Sequence, residues 1–144
     1  MIVPLAPARP SDFAELSALL HASGLPLDGL EEHLETALVA RRGGRLVGCV
    51  ALEIYSPVAL LRSLAVASDL RGEGLGQRLT EAALDLARAA GVKEVFLLTQ
   101  TAAGFFPRFG FVPAAREQAP PALLQSVEFR SACPASAACM RLTL

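Results

Sequence analysis

Aromatic residues and cysteines are scarce in this chain. It has no tryptophan, a single tyrosine at Tyr55, and three cysteines, Cys49, Cys133 and Cys139, none of which forms a CxxC pair. An odd number of cysteines without paired spacing argues against a disulfide framework and against a structural zinc site, so no metal is expected. Thirteen basic and fourteen acidic side chains leave a formal charge of −1. This balance argues against a general nucleic-acid-binding surface, although it does not exclude one anion held locally.

Long apolar runs are also absent. No stretch reaches the roughly 18–20 apolar residues that a membrane span needs, so no membrane partner is expected. The first four residues, Met1-Ile2-Val3-Pro4, lack the basic region and apolar core of a secretory signal, which predicts a cytoplasmic location. The 144 residues, 53% of them apolar, correspond to one domain over residues 1–144.

The spacing of apolar residues alternates between helix-like and strand-like patterns. The expected elements are a helix over 12–20, a short helix over 28–38, strands over 38–40, 46–54 and 58–66, a helix over 75–90, a strand over 92–99, a helix over 102–109, a strand at 111–112, a short helical segment over 122–125 and a last strand near 139–144. A strand, a long helix and a second strand in succession require a crossover connection, so strands 58–66 and 92–99 should be parallel. The expected class is a mixed α/β fold, with helices covering the sheet.

A glycine-rich bend, Arg71-Gly72-Glu73-Gly74-Leu75-Gly76, lies between a strand and the longest helix. Its glycines allow positive φ and a close approach to the backbone, and its N–H groups lie at a helix start, where anions bind. The guanidinium of Arg71 suits phosphate oxygens. Gly76-Gln77-Arg78 does not continue as a P-loop, and the G-x-G-x-G spacing differs from the dinucleotide-binding G-x-G-x-x-G. The bend is therefore expected to bind a pyrophosphate.

Leu64-Ala65-Val66 followed by this bend resembles the acetyl-CoA-binding signature of the GNAT N-acetyltransferases, R/Q-x-x-G-x-G/A, and the order of elements is also similar. The resemblance implies a mixed, mostly antiparallel twisted sheet with helices on both faces, and acetyl-CoA as co-substrate. It implies that the strand backbone pairs with the pantetheine arm, that the bend binds the pyrophosphate, and that strands 58–66 and 92–99 separate around the thioester. The residues that it assigns to acetyl-CoA are Leu64, Ala65, Val66, Arg71, Gly72, Glu73, Gly74, Leu75, Gly76, Gln77 and Phe106.

The catalytic groups are less clear from the sequence. Phe106 occupies the position where many GNAT members have a tyrosine that protonates the leaving thiolate, and a phenylalanine cannot do so. Ser63 is a candidate for ordering a water that deprotonates the amine. Glu53 is the nearest carboxylate in strand order, with a solvated strand position as the competing interpretation. His21 and His33 are expected at the surface or at helix ends.

The C-terminal segment over 128–137 resembles that of a GNAT subgroup found with arsenic-resistance genes, and residues 97–111 resemble, more distantly, the acetyltransferase domain of N-acetylglutamate synthases. Arg116, Glu128 and Arg130 are candidates for the acceptor pocket. Cys133 and Cys139 are either soft ligands for an arsenical or ordinary turn and core residues. We expect an N-acetyltransferase that acts on a small-molecule amine, either an amino acid or a related toxic compound. A homodimer is compatible with this expectation. The competing hypothesis is a non-catalytic sensor of acetyl-CoA or a metalloid.

Overall fold

The computed structural model describes residues 2–132, 134 and 136–144. In this part of the chain seven strands form one sheet: β1 Leu5–Pro7, β2 Ala37–Arg42, β3 Arg45–Tyr55, β4 Val58–Val66, β5 Glu94–Thr99, β6 Val112–Pro113 and β7 Ala138–Thr143. Two α-helices accompany them, α1 Phe13–Ala22 and α2 Leu75–Ala89. The shorter helical segments are 3-10 turns at Pro10–Asp12, Leu30–Thr36, Ser68–Leu70, Phe106–Phe109, Arg116–Gln118 and Pro121–Gln125, and a π-helical turn at Glu128–Ala132.

The strand order is β1-β2-β3-β4-β5-β7-β6, and every pairing except β4 with β5 is antiparallel. Gly43 and Gly44, both at positive φ, close the tight hairpin between β2 and β3, as two-residue hairpin turns require. Helix α2 is the crossover between parallel strands β4 and β5. The mixed, mostly antiparallel sheet confirms the expected fold class.

Helices pack on both faces of the sheet, because successive side chains of a strand point to opposite faces and both sets are apolar in the central strands. Leu16 and Leu20 of α1 share a buried cluster with the β3 residue Cys49. Leu79 of α2 belongs to the cluster on the other face, with Val47 and other β3 side chains. Two apolar layers therefore hold β3 and β4 in the middle of the fold, where both faces are covered.

Several elements differ from the sequence-based expectation. Only Phe106–Phe109 is helical within the expected helix over 102–109, and it is a 3-10 turn. Gly104 and Pro107 both disfavour a longer α-helix here. The expected short helix over 28–38 is a 3-10 segment that ends at Thr36, because the next residues join the sheet as β2. Strand β1 was not expected, and a π-helical turn stands in the segment expected to be a loop.

Candidate active site

A cavity of about 520 Å³ lies between β4 and β5, a volume within the usual range for small-molecule sites. Residues 61–66 form one wall and residues 97–102 the other, while Pro26, Glu128 and Ala137 are among the residues that close it. The cavity exists because the two strands pair only at Val58–Leu60 with Glu94–Phe96. Beyond Leu60 they separate, as expected from the resemblance.

The β4 wall contains a bulge. Between Ala65 and Arg62, β4 has one residue more than the matching segment of β3, which runs from Cys49 to Ala51. Ser63 lies in this bulge at φ +60, a conformation that costs a non-glycine residue about 1–2 kcal/mol. The bulge changes the direction of the β4 backbone groups, at the place where the strand faces the cavity instead of β5.

The glycine bend follows β4 and leads directly into α2. Gly72 and Gly74 have φ of +85 and +87, so both positions favour glycine. The backbone N–H of Arg78 bonds to the Gly74 carbonyl at 3.1 Å. The N–H groups of residues 74–77 therefore precede the first helical hydrogen bond and are directed outwards from the helix end. This arrangement fits a phosphate group.

The side chains of the bend divide into two groups. Arg71 is exposed, lines the cavity, and donates from Nε to the Val66 carbonyl at 3.2 Å. Glu73 and Gln77 are not buried, whereas the Leu75 side chain is in the core. A Cβ on Gly76 would lie 3.7 Å from both Phe105 and Val66. At Leu75, therefore, the backbone but not the side chain is available to a ligand, whereas at Arg71 the guanidinium is available.

A buried ion cluster forms the other end of the cavity, around Arg62. Its Nε lies 2.7 Å from Glu128 Oε2, and its Nη1 lies 2.7 Å from Glu53 Oε2. The side chains of Arg62, Glu53 and Glu128 are 0%, 1% and 6% exposed. Arg62 and Glu128 line the cavity, and Glu53 lies behind them. The sequence analysis missed Arg62, although a lone arginine in the apolar run of β4 was a usable signal.

The interpretation of Glu53 as a solvated strand residue was wrong, because its carboxylate is enclosed. Tyr55 Oη donates to Glu53 Oε1 at 2.5 Å, and His33 Nε2 lies 3.6 Å from the same oxygen. Burial and the bond to this carboxylate raise the pKa of Tyr55 above its usual range. His33, expected at the surface or a helix end, lies in the last turn of the 3-10 segment Leu30–Thr36 and is 20% exposed. His21 is exposed, as expected.

Ser63 and Phe106 both line the cavity. Ser63 Oγ accepts a hydrogen bond of 3.0 Å from Arg62 Nε. The Phe106 ring is 4% exposed and makes edge contacts with Phe105 and Phe111, at centroid distances of 5.2 and 5.7 Å. The position that was aligned with the family's tyrosine is therefore at the cavity, and its side chain carries no proton to donate.

The three acceptor candidates separate in the structure. Glu128 lines the cavity. Arg116 instead donates to the carbonyls of Pro134 and Phe129, at 2.9 and 3.0 Å, and neither it nor the exposed Arg130 is among the described residues that line the cavity. The sequence of this tail does not indicate which of its charged side chains face the cavity.

The two cysteines that the structure describes, Cys49 and Cys139, are both buried. Cys139 belongs to a core cluster with Phe96 and Leu123, and burial raises the pKa of its thiol. Burial likewise raises the pKa of Cys49 to about 12. Cys133 lies outside the described residues. Among the residues that the structure describes, no group of three or more His, Cys, Asp or Glu side chains is placed to hold a metal ion, and no helix is long and apolar enough to cross a membrane.

Comparisons with known proteins agree with this geometry. The model of the family described as "Acetyltransferase (GNAT) domain" matches residues 33–113, more than half of the chain. An uncharacterised N-acetyltransferase of Chlorobaculum tepidum is 33% identical over 119 residues, which are 82% of this chain and 74% of that protein. An amino-acid acetyltransferase of Neisseria meningitidis is 30% identical over 108 residues, 74% of this chain. The chain covers only 24% of that enzyme's length.

The fold also matches solved structures. One is N-acetylglutamate synthase from Neisseria gonorrhoeae complexed with coenzyme A and N-acetyl-glutamate. It superimposes with a TM-score of 0.84 at 24% sequence identity, covering all of this chain and 35% of the synthase. At this identity the superposition shows a shared fold.

Proposed function

Because the chain belongs to the GNAT acetyltransferase family, whose members are acetyl-CoA-dependent N-acetyltransferases, we propose that it acetylates the amine of a small molecule of the amino-acid type. The amine attacks acetyl-CoA directly, with both substrates bound together. The observation that carries the proposal is the cavity between the separated strands β4 and β5, bordered by Arg71 at the glycine bend. The proposed enzyme is one domain over residues 1–144.

Acetyl-CoA is assigned to the β4 side of the cavity and to the bend. The backbone of Leu64, Ala65 and Val66 would pair with the pantetheine arm, as an added strand does. The N–H groups over 72–77 and the Arg71 guanidinium would bind the pyrophosphate. Positive φ at Gly72 and Gly74 supports this assignment, because the bend presents its backbone without side chains in the way. Phe106 would contact the acetyl end.

The proposed reaction needs few side-chain groups. A backbone N–H near the β4 bulge would stabilise the oxyanion, since such donors act strongly in a site that excludes water. Ser63 would order the water that accepts a proton from the amine. Glu53, enclosed behind Arg62, would act only through its neighbours. Since Phe106 cannot protonate the leaving thiolate, the proton would come from water or from the amine.

The acceptor is the finer part of the proposal. The named amino-acid acetyltransferases among the relatives support an amino acid. Ser63, Thr99 and Gln100 give the cavity wall neutral hydrogen-bonding groups for such a molecule. A toxic amino-acid-like compound, and with it a link to arsenic resistance, stays a prediction from the tail resemblance. The cytoplasmic location, the homodimer and the absence of nucleic-acid and membrane partners are likewise predictions.

Acetyl-CoA turnover with a panel of amines, followed as free thiol, tests the proposal. The expected result is amine-dependent thiol release, with N-acetylated product identified by mass spectrometry. The rival function, a non-catalytic sensor of acetyl-CoA or a metalloid, is favoured by Phe106 at the tyrosine position. Tight CoA binding without turnover on any amine would establish the sensor and overturn the enzyme.

A further inference from the structure

The bulge in β4 leaves one peptide group without a regular place in the sheet. Two residues, Ser63 and Leu64, lie opposite the single β3 residue Val50, and such a mismatch disrupts the ladder that normally fixes the direction of each peptide. Ser63 is also at φ +60, a conformation that a non-glycine residue seldom adopts. The peptide between Ser63 and Leu64 therefore depends on neighbouring side chains to keep its orientation.

Two side chains hold Ser63 in this orientation. The Cys49 thiol donates to the Ser63 carbonyl at 3.2 Å. Cys49 is buried, and burial raises the pKa of its thiol to about 12, so the group keeps its hydrogen at neutral pH and can donate it. Arg62 Nε donates to Ser63 Oγ at 3.0 Å. The guanidinium is itself fixed, because Nη1 and Nη2 donate to the carbonyls of Asp28 and Pro26 at 2.6 and 3.2 Å.

The direction of the Leu64 N–H follows from these contacts. In a trans peptide the carbonyl and the next N–H point in opposite directions. Since the Ser63 carbonyl is directed at Cys49 of β3, the Leu64 N–H is directed away from β3. Two residues further along, the Val66 carbonyl accepts from Arg71, which lines the cavity, and backbone groups two residues apart in a strand point to the same side. On that side β5 has separated from β4, so the Leu64 N–H faces the cavity.

Resting on the proposed function, we propose that Cys49 is a positioning residue for acetyl transfer, whose thiol holds the Ser63 carbonyl and thereby directs the Leu64 N–H at the thioester oxygen. The N–H is the group that touches the reacting atoms. Cys49 is not among the described residues that line the cavity, so its thiol acts through the shared peptide plane. A buried free cysteine otherwise behaves as a small apolar residue, and the contact with a strained peptide gives this one a role besides packing.

The size of the effect distinguishes positioning from direct catalysis. Removing an oxyanion-hole donor outright lowers kcat by about 10²–10³-fold. Without the thiol, the Leu64 N–H is still present, but its peptide faces the thioester for a smaller part of the time. We expect Cys49→Ala to lower kcat by about fivefold to tenfold, the effect of one hydrogen bond. The affinity for CoA should stay within about twofold of the wild-type value, because CoA itself has no thioester oxygen.

Steady-state kinetics with acetyl-CoA and the amino acid that the wild type turns over fastest, together with calorimetry with CoA, test the assignment. Cys49→Ser has nearly the volume of Cys49→Ala but keeps a donor, so its kcat should stay within about threefold of the wild-type value. Cys49→Val fills the space without a donor and should lose as much kcat as Cys49→Ala. Cys139→Ala is the matched control, because Cys139 is also buried but belongs to a core cluster with Phe96 and Leu123, and its kcat should be unchanged.

Thermal denaturation shows that each variant folds and measures the cost of the cavity that both alanine variants share. A kcat within about twofold of the wild-type value in Cys49→Ala or Cys49→Val would overturn the proposal. An equal loss of kcat in Cys49→Ser and Cys49→Ala would also overturn it, because packing and not the donor would then be responsible. Both outcomes leave the acetyltransferase intact, whereas no turnover by the wild type on any amine would overturn the proposed function and this inference with it.

Discussion

Replacing Arg62 with methionine removes the guanidinium that lies between two buried carboxylates. Methionine retains the length and apolar character of the side chain, so the change mainly deletes charge and hydrogen-bond donors. Glu53 and Glu128 lose their ion pairs of 2.7 Å, and the carbonyls of Pro26 and Asp28 lose their donors. We expect this variant to be among the least stable that a single substitution in the sheet can produce.

The expected loss of stability is about 3–5 kcal/mol at pH 7, the usual result of removing one partner from a buried ion pair. This is a large part of the roughly 5–15 kcal/mol that stabilises a domain. Two buried carboxylates without their cation are each left with an uncompensated charge, which is why the cost is large.

Urea denaturation followed by circular dichroism at pH 7 measures the loss. Arg88→Met is the control, because Arg88 pairs with Asp85 at the surface, where both side chains are more than half exposed, and it should cost less than about 1 kcal/mol. Adding Glu53→Gln and Glu128→Gln to Arg62→Met should restore part of the stability. A loss below about 1 kcal/mol would refute the view that Arg62 is fully committed to these carboxylates.

Three further predictions concern the helix starts. The hydrogen bond from Arg41, and after it the backbone N–H of Arg9, lower the pKa of Asp12 in the folded protein. The stability that this carboxylate contributes is therefore present above its unfolded pKa of about 4 and is lost as the pH falls below that value. Asp12→Asn should cost about 1 kcal/mol at pH 7 and nothing in acid, as measured by thermal denaturation. Gly74→Ala should lower stability by about 1–2 kcal/mol, because φ is +87, and should weaken CoA binding in calorimetry. Gly76→Ala, whose Cβ meets only ordinary contacts at 3.7 Å, should weaken CoA binding at unchanged stability; a variant that binds CoA as the wild type does would contradict the assignment of the bend.

The glycine bend and the fold class could be predicted because their signals are local. Six consecutive residues are enough to predict the bend, and the alternation of apolar residues is enough to predict the longer strands. The separation of β4 from β5 was also expected, and the pairing confirms it, since it stops at Leu60 and Phe96. Short elements were less predictable. Strand β1 has three residues, too few for an alternation of apolar and polar residues to be recognised. It is a strand because it pairs with β2.

The charged cluster could not be predicted from spacing. Glu53 and Arg62 meet diagonally across the antiparallel strands β3 and β4, but Glu128 reaches Arg62 from a π-helical turn 66 positions later in the chain. The carbonyls that complete the arginine's partners come from Pro26 and Asp28, in a connection that carries no charge pattern pointing to β4. Arg116 and Arg130 looked equally suited to the pocket, and only the path of the tail places Glu128 there instead.

A buried ion cluster is seldom retained for stability alone, because well-packed apolar residues of similar volume stabilise a fold as well or better. Here the cluster adjoins Ser63, the one non-glycine residue at positive φ among the residues that the structure describes. Arg62 Nε bonds the hydroxyl of Ser63, and Cys49 Sγ bonds its carbonyl at 3.2 Å, so both ends of the residue at φ +60 are fixed. The cluster therefore holds the β4 bulge in place beside the acetyl-transfer cavity. We infer that it is retained for this geometry, at a cost in desolvation that a purely structural core would avoid.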